Sequence, residues 1–159
     1  MNNSDQLVVF TLDEHRYALS LSVVERAVRM VEITLLPKAP GIVLGVINLQ
    51  GRIIPVLNVR KRFRLPERET RASDQLLVAR TSQRTVALAV DTVSAVIDQS
   101  AQETVAPPAI VPGLEYVAGV MKLEDGMLFI HDLDQFLSLE EDEALAAAIG
   151  NETGAFQGS

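Results

Sequence analysis

The residues best suited by type to chemistry are few. His131 stands in "FIHDLDQF", followed by Asp132 and Asp134, and a second histidine, His15, lies far away in the chain. A histidine with two carboxylates can hold a metal or move a proton, but two histidines from unrelated positions lack a third spaced ligand. Asp132 has a simpler reading as the cap of a short helical turn. With no cysteine, thiol nucleophiles, disulfides and thiolate zinc sites are excluded together. Gly45 and Gly51 are not followed by the Lys-Ser/Thr of a phosphate loop, and Ser20, Ser22, Ser94 and Ser100 lack the Gly-x-Ser-x-Gly setting of a nucleophile elbow. No cofactor or metal is expected.

The stretch "GVINLQGRIIPVLNVRKRF", Gly45 to Phe63, raises a different possibility. Two apolar runs flank the polar bend Asn48, Gln50 and Arg52, and Pro55, which has no N–H for a ladder, sits inside the second run. That reads as a hairpin whose second strand lies at a sheet edge. The basic cluster Arg60, Lys61, Arg62 and Arg64 reads as a solvated face.

Composition narrows the class. The 159 residues are 48% hydrophobic and 22% charged, which is globular, and the supply of Val, Ile and Leu favours strands. A net charge of −7 and only 4% aromatics argue against a nucleic-acid partner. The polar start "MNNSDQ" has no leader character, and the apolar run Ala39–Leu49 is short and broken by Pro40, Gly41 and Gly45. A cytoplasmic protein without membrane insertion is the expectation.

The elements that would position these residues come in two copies. "LVVFTLDEHRYALSLSVVERAV" from Leu7 is repeated without a gap, 69 residues later, as "LLVARTSQRTVALAVDTVSAVI" from Leu76. "GVINLQGRIIPVLNV" from Gly45 returns after 74 residues as "GVMKLEDGMLFIHDL" from Gly119, with the bend Glu124-Asp125-Gly126 in place of Gln50-Gly51. The added residues fall near the Pro-rich "VAPPAIVPG". Strands are predicted at 7–12, 17–22, 25–31, 45–49 and 53–59, and again in the second half, with helical turns at 22–24, 58–63 and 132–137. Five strands per half suit a small closed sheet, so the predicted fold is all-β: one domain over 7–137 made of two intertwined five-stranded barrels, about 7–73 and 74–137, with "RLPERETRAS" linking the halves. Residues 1–6 form a tail. Ser138 opens a helix over 138–150 that Gly150 ends, leaving 151–159 as a second tail.

Both faces of these strands are apolar: Ile47 and Leu49 oppose Val46, and Ile54 and Val56 oppose Ile53, Pro55 and Leu57. A lone barrel needs only an apolar interior, so the surplus is covered by the sister barrel, a partner, or both. The bulky inward residues disfavour the alternative of a small-ligand barrel.

"LVVFTLDEHRYALSLSVVERAVR", "LPKAPGIVLGVINLQGRIIPVLNVRKRF", "VALAVDTVSAVID" and "EYVAGVMKLEDGMLFIHDLDQFL" resemble the CheW family of chemotaxis adaptors, from about Leu7 to Leu137. The resemblance implies two SH3-like barrels and a non-catalytic scaffold coupling the tips of methyl-accepting receptors to a CheA-type histidine kinase. It places the receptor groove between the barrels and the kinase contacts at barrel ends. Val24, Gly45, Asn48 and Gln50 match the family's binding positions, with Arg26 and Val28 nearby. On this reading an aspartate at position 45 blocks the receptor without unfolding the chain. Gln50 stands where the family usually carries Arg, and Asn58 where it often has Asp, which makes a paralogue serving another chemosensory or motility pathway the alternative.

Overall fold

The computed structural model describes residues 6–98, 104–105, 117–123 and 126–157. The Pro-rich segment 106–113 and the bend residues 124–125 lie outside the described residues, as do 1–5 and 158–159. The strands are β1 (Gln6–Leu12), β2 (His15–Ser20), β3 (Val24–Arg29), β4 (Val43–Leu49), β5 (Arg52–Leu57), β6 (Gln75–Arg80), β7 (Thr85–Val90), β8 (Thr92–Asp98), β9 (Thr104–Val105), β10 (Val117–Leu123) and β11 (Gly126–His131). Helix α1 is Val59–Arg62, α2 is Leu139–Gln157, and 3-10 turns occupy Leu21–Val23 and Leu133–Phe136. Local chemistry starts the helical pieces: Asn58 accepts from the Lys61 amide, and Asp132 from that of Asp134.

One sheet runs β8-β1-β2-β11-β10-β9 and the other β3-β6-β7-β5-β4. The two orders are one pattern, with β1, β2, β8, β10 and β11 replaced by their repeats β6, β7, β3, β4 and β5. Each barrel therefore takes its first hairpin from one half of the chain and its other strands from the opposite half, so the division near residue 73 is not a boundary between barrels. Both close alike. Beyond β3 the chain returns to β4, where Thr34 and Val46 exchange two backbone hydrogen bonds of 2.8 Å. Beyond β8 it returns to β10, where Val105 pairs with Val120.

The surplus of apolar faces is largely accounted for by this exchange. Leu7 and Val9 of β1, Ala18, Met121, Leu128 and Ile130 fill one barrel; Ile47, Ile54, Val56, Leu76, Val78 and Ala87 fill the other. The alternate residues of the same strands, among them Val8, Phe10, Leu12, Leu77, Val86 and Leu88, meet in a third core between the barrels. Because side chains alternate along a strand, a strand buried on both faces must be apolar throughout.

Three expectations change. Pro55 is not at an edge: β5 lies between β7 and β4 and Pro55 is buried. The proline is tolerated because its β4 partner Val46 turns both N–H and C=O to Thr34, which makes Val46–Pro55 a pair without ladder bonds, and the β5–β7 pairing runs through Val56 and Leu57. The basic run is not simply solvated: Arg60 is 7% exposed and ion-paired, and Arg62 bonds Glu141 at 2.6 Å. Its acidic partners, Asp13, Asp91 and Glu141, lie far away in sequence. Helix α2 passes through Gly150 to Gln157, so 151–157 is helical. Glycine weakens a helix interior by about 1 kcal/mol but ends it only when the backbone turns left-handed, and Gly150 is not among the residues with positive φ.

Candidate functional site

The β4–β5 connection is a two-residue hairpin in which both central residues have positive φ, +54° at Gln50 and +86° at Gly51. That twist matches the strands it joins. Asn48 stabilises the bend by accepting the Gly51 amide at 2.9 Å on its side-chain oxygen. Gln50 then points its Oε1 toward β3, where the Arg26 guanidinium donates to it at 3.3 Å. Beside this pair Arg52 donates to Glu25 at 3.1 Å and to Thr85 at 3.2 Å. These contacts hold β3, β4–β5 and the start of β7 together at one end of a barrel. The Arg52 and Thr85 bonds pull the Glu25 carboxyl below the usual range, the Arg52 hydrogen bond most strongly.

Of the six candidate residues, Arg26, Asn48 and Gln50 are exposed and share this end. Val24 and Val28 are half-buried on the same strand but face different cores. Val24 packs against the core between the barrels and Val28 against a barrel interior. An irregularity between Val24 and Arg26 in the β3–β6 pairing inserts the residue that reverses the alternation.

Gly45 is the exception. A Cβ there would lie 2.3 Å from the Thr34 carbonyl oxygen and 2.8 Å from Ile33 Cγ2, and its φ is +154°. The backbone that needs the space is the chain's own, at the closure of the barrel, so an aspartate at 45 would disturb the fold rather than a partner alone. Val46 is likewise taken internally: it is packed with Leu36, Leu145 and Ala148, a cover that α2 supplies.

The histidine and carboxylates considered first are drawn apart. His131 is 4% exposed, stacked on Phe63 with ring centroids 4.3 Å apart. Asp132 caps its turn, and Asp134 accepts the Ser82 amide at 2.7 Å. Among the described residues no three His, Cys, Asp or Glu side chains gather as metal ligands. Missed by sequence reasoning was the polar cluster of Arg60, Arg68, Asp13, Asp74 and Asp91. Its members are dispersed from residue 13 to 91, and no local spacing marks them.

Two barrels that exchange hairpins around a shared core define the class of fold, and their polar residues are joined in structural bonds. Comparison with known proteins makes this specific. The model of the CheW-like domain matches residues 6–141, and the chain belongs to that family. It is 30% identical to the chemotaxis protein CheW of Treponema pallidum, covering 89% of this chain and 86% of that protein, and 29% identical to that of Rhizobium meliloti, covering 90% and 94%. The crystal structure of the scaffolding protein TtCheW from Thermoanaerobacter tengcongensis superposes with a TM-score of 0.75 at 31% identity, over 87% of this chain and 95% of that one. No described helix is long and apolar enough to cross a membrane.

Proposed function

We propose that this chain is a non-catalytic, cytoplasmic chemotaxis adaptor that bridges the tips of methyl-accepting receptors to a CheA-type histidine kinase. The observation that carries this reading is the CheW-like match across residues 6–141, the whole two-barrel body. The exposed end formed by Arg26, Asn48 and Gln50 is the part of the candidate site that a partner can reach, with Val24 and Val28 as its half-buried support. An adaptor transmits by differential contact: receptor states that touch this bridge differently bias the kinase, and a state-independent contact would transmit nothing. An interface of roughly 1,200 Å² and micromolar affinity suffices for such a transient link.

Titration calorimetry with a receptor cytoplasmic fragment and with a kinase regulatory domain tests the reading. Binding to both is expected, and Arg26→Glu, which alters an exposed side chain, weakens at least one by about tenfold. Failure to bind either partner refutes the adaptor. The paralogue reading rests on Gln50: tight binding only to receptors from a second pathway would favour it.

A further inference from the structure

Helix α2 hangs from the body by Leu137 and Ser138. The 3-10 turn before them is anchored, with Phe136 buried and Asp134 accepting the Ser82 amide at 2.7 Å. Leu137 is already extended, at φ −123° and ψ 128°, and α2 starts at Leu139, so rotation at these two residues redirects the whole helix. Its cap travels with it: Ser138 accepts the Glu141 amide at 3.1 Å, and Glu141 accepts that of Ser138 at 2.8 Å. What holds α2 to the body is a compact set of contacts. Leu145 and Ala148 cover Leu36 and Val46, while Arg62 and Arg84 donate to Glu141 and Asp142 at 2.6 and 2.7 Å. Beside the hinge an apolar side chain stays uncovered. Leu139 is 73% exposed, next to a cleft of about 200 Å³ that Leu137, Thr81 and Gln83 also line.

We propose that α2 is exchanged between two copies of this chain, each helix of a twofold dimer lying on the β4 face of the other copy. The occupant is fixed by identity. A second copy brings the chemistry that the face already accepts: adjacent carboxylates for Arg62 and Arg84, then an aliphatic and a small residue three apart. Each contact that α2 makes with its own body is remade on the other, so exchange loses none of them, and Leu139 beside the hinge turns from solvent into the new contact. A short connection favours this, because it restricts how the helix can fold back while an extended one carries it to a neighbour. On its own body α2 meets β4 at an effective concentration in the millimolar range, so exchange prevails when the protein is comparably concentrated. The net charge of −7 on each copy opposes association, whereas the arginine pairs are present in both forms, so added salt favours the dimer. None of this rests on the adaptor reading.

The test mixes two full-length variants, Arg84→Glu and Asp142→Arg, one of them carrying an affinity tag. Alone, each variant sets like charges face to face, whether α2 lies on its own body or on an identical copy. Mixed, exchange gives every helix an opposite charge. At millimolar concentration the unaltered chain is expected to show twice its mass in light scattering, more so in high salt, with each variant alone mainly monomeric and the mixture yielding a co-purifying heterodimer. Inserting Gly-Ser-Gly between Leu137 and Ser138 leaves both faces intact and lets the helix fold back freely, so the dimer fraction is expected to fall several-fold; this insertion decides the matter where a charge variant fails to fold. An unaltered chain that stays monomeric at every concentration overturns the exchange. So does a dimer whose folded variants do not pair on mixing, or one indifferent to the insertion.

Discussion

Arg60 donates to both carboxylate oxygens of Asp91, at 2.8 and 3.0 Å, joining α1 to the turn between β7 and β8. Its other nitrogen reaches Asp13 at 2.9 Å and the Pro66 carbonyl at 3.0 Å, and Arg68 bridges Asp91 to Asp74. The hairpin of one half, the turn of the other and the linker between them are thus held by one set of charges. Removing one member of a buried pair costs roughly 3–5 kcal/mol, less where the stranded charge keeps water or a second partner. Asp91 keeps Arg68, so Arg60→Gln is expected to cost about 2–3 kcal/mol in urea unfolding. A cost below about 0.5 kcal/mol would show the cluster to be incidental.

Gly45→Ala tests the barrel closure. With 2.3 Å to the Thr34 oxygen, either the backbone of 33–34 or β4 must shift, and the exchange of hydrogen bonds between Thr34 and Val46 weakens. A loss of about 2–4 kcal/mol is expected from backbone strain and displaced pairing. Gly51→Ala, with open space around it but φ +86°, is expected to cost only about 1–2 kcal/mol. Equal costs would remove the steric account of residue 45.

Acid should unfold the protein in a defined window. Burial would raise the Asp74 carboxyl, but the Arg68 side chain and the Arg71 amide outweigh it and leave it lowered. Glu141 is lowered too, its burial outweighed by the Ser138 amide and Arg62. A carboxyl with a lower pKa folded than unfolded binds its proton first in the unfolded chain, so its stabilisation is complete above the unfolded value, near 4, and is lost as pH falls through the folded one. The melting temperature is expected to stay level from pH 7 to about 5 and to drop below about 4. Asp74→Asn should lower it at pH 7 and shrink the acid drop; an unchanged drop would exclude Asp74 as a contributor.

Gln50→Arg replaces an acceptor for Arg26 with a second guanidinium. Both cations are then free for an acidic partner, and tighter binding to a receptor or kinase with the usual family pairing is expected, by roughly 1–3 kcal/mol if a charge-assisted bond forms. Calorimetry showing no change would take specificity away from this position.

Much of this was legible in the residues. The repeat exposes itself through Leu7/Leu76 and Gly45/Gly119, the bend at Gln50-Gly51 through its turn chemistry, and the helix start through Ser138. What was hidden depends on distance along the chain. Apolar residues at both alternating positions, as at Val8 and Val9, predict two buried faces but not which strand lies opposite, so intertwined barrels are expected while the hairpin that crosses between them is not identified. Arg60 looked solvated because Asp13 and Asp91 come from other turns, whereas Gly45, readable as room for a partner or as a bulge, is the second: the β4–β5 register shifts between Val43 and Gly45, where Thr34 closes the barrel from another part of the chain.

The shared strand order has a historical reading. Two copies of a five-stranded ancestor that traded first hairpins across a twofold axis would form a swapped homodimer, and joining them end to end through the segment now at 64–73 would give the present connectivity. Severed at that joint, neither fragment owns a complete barrel, and each would have to find the other to regain its native shape.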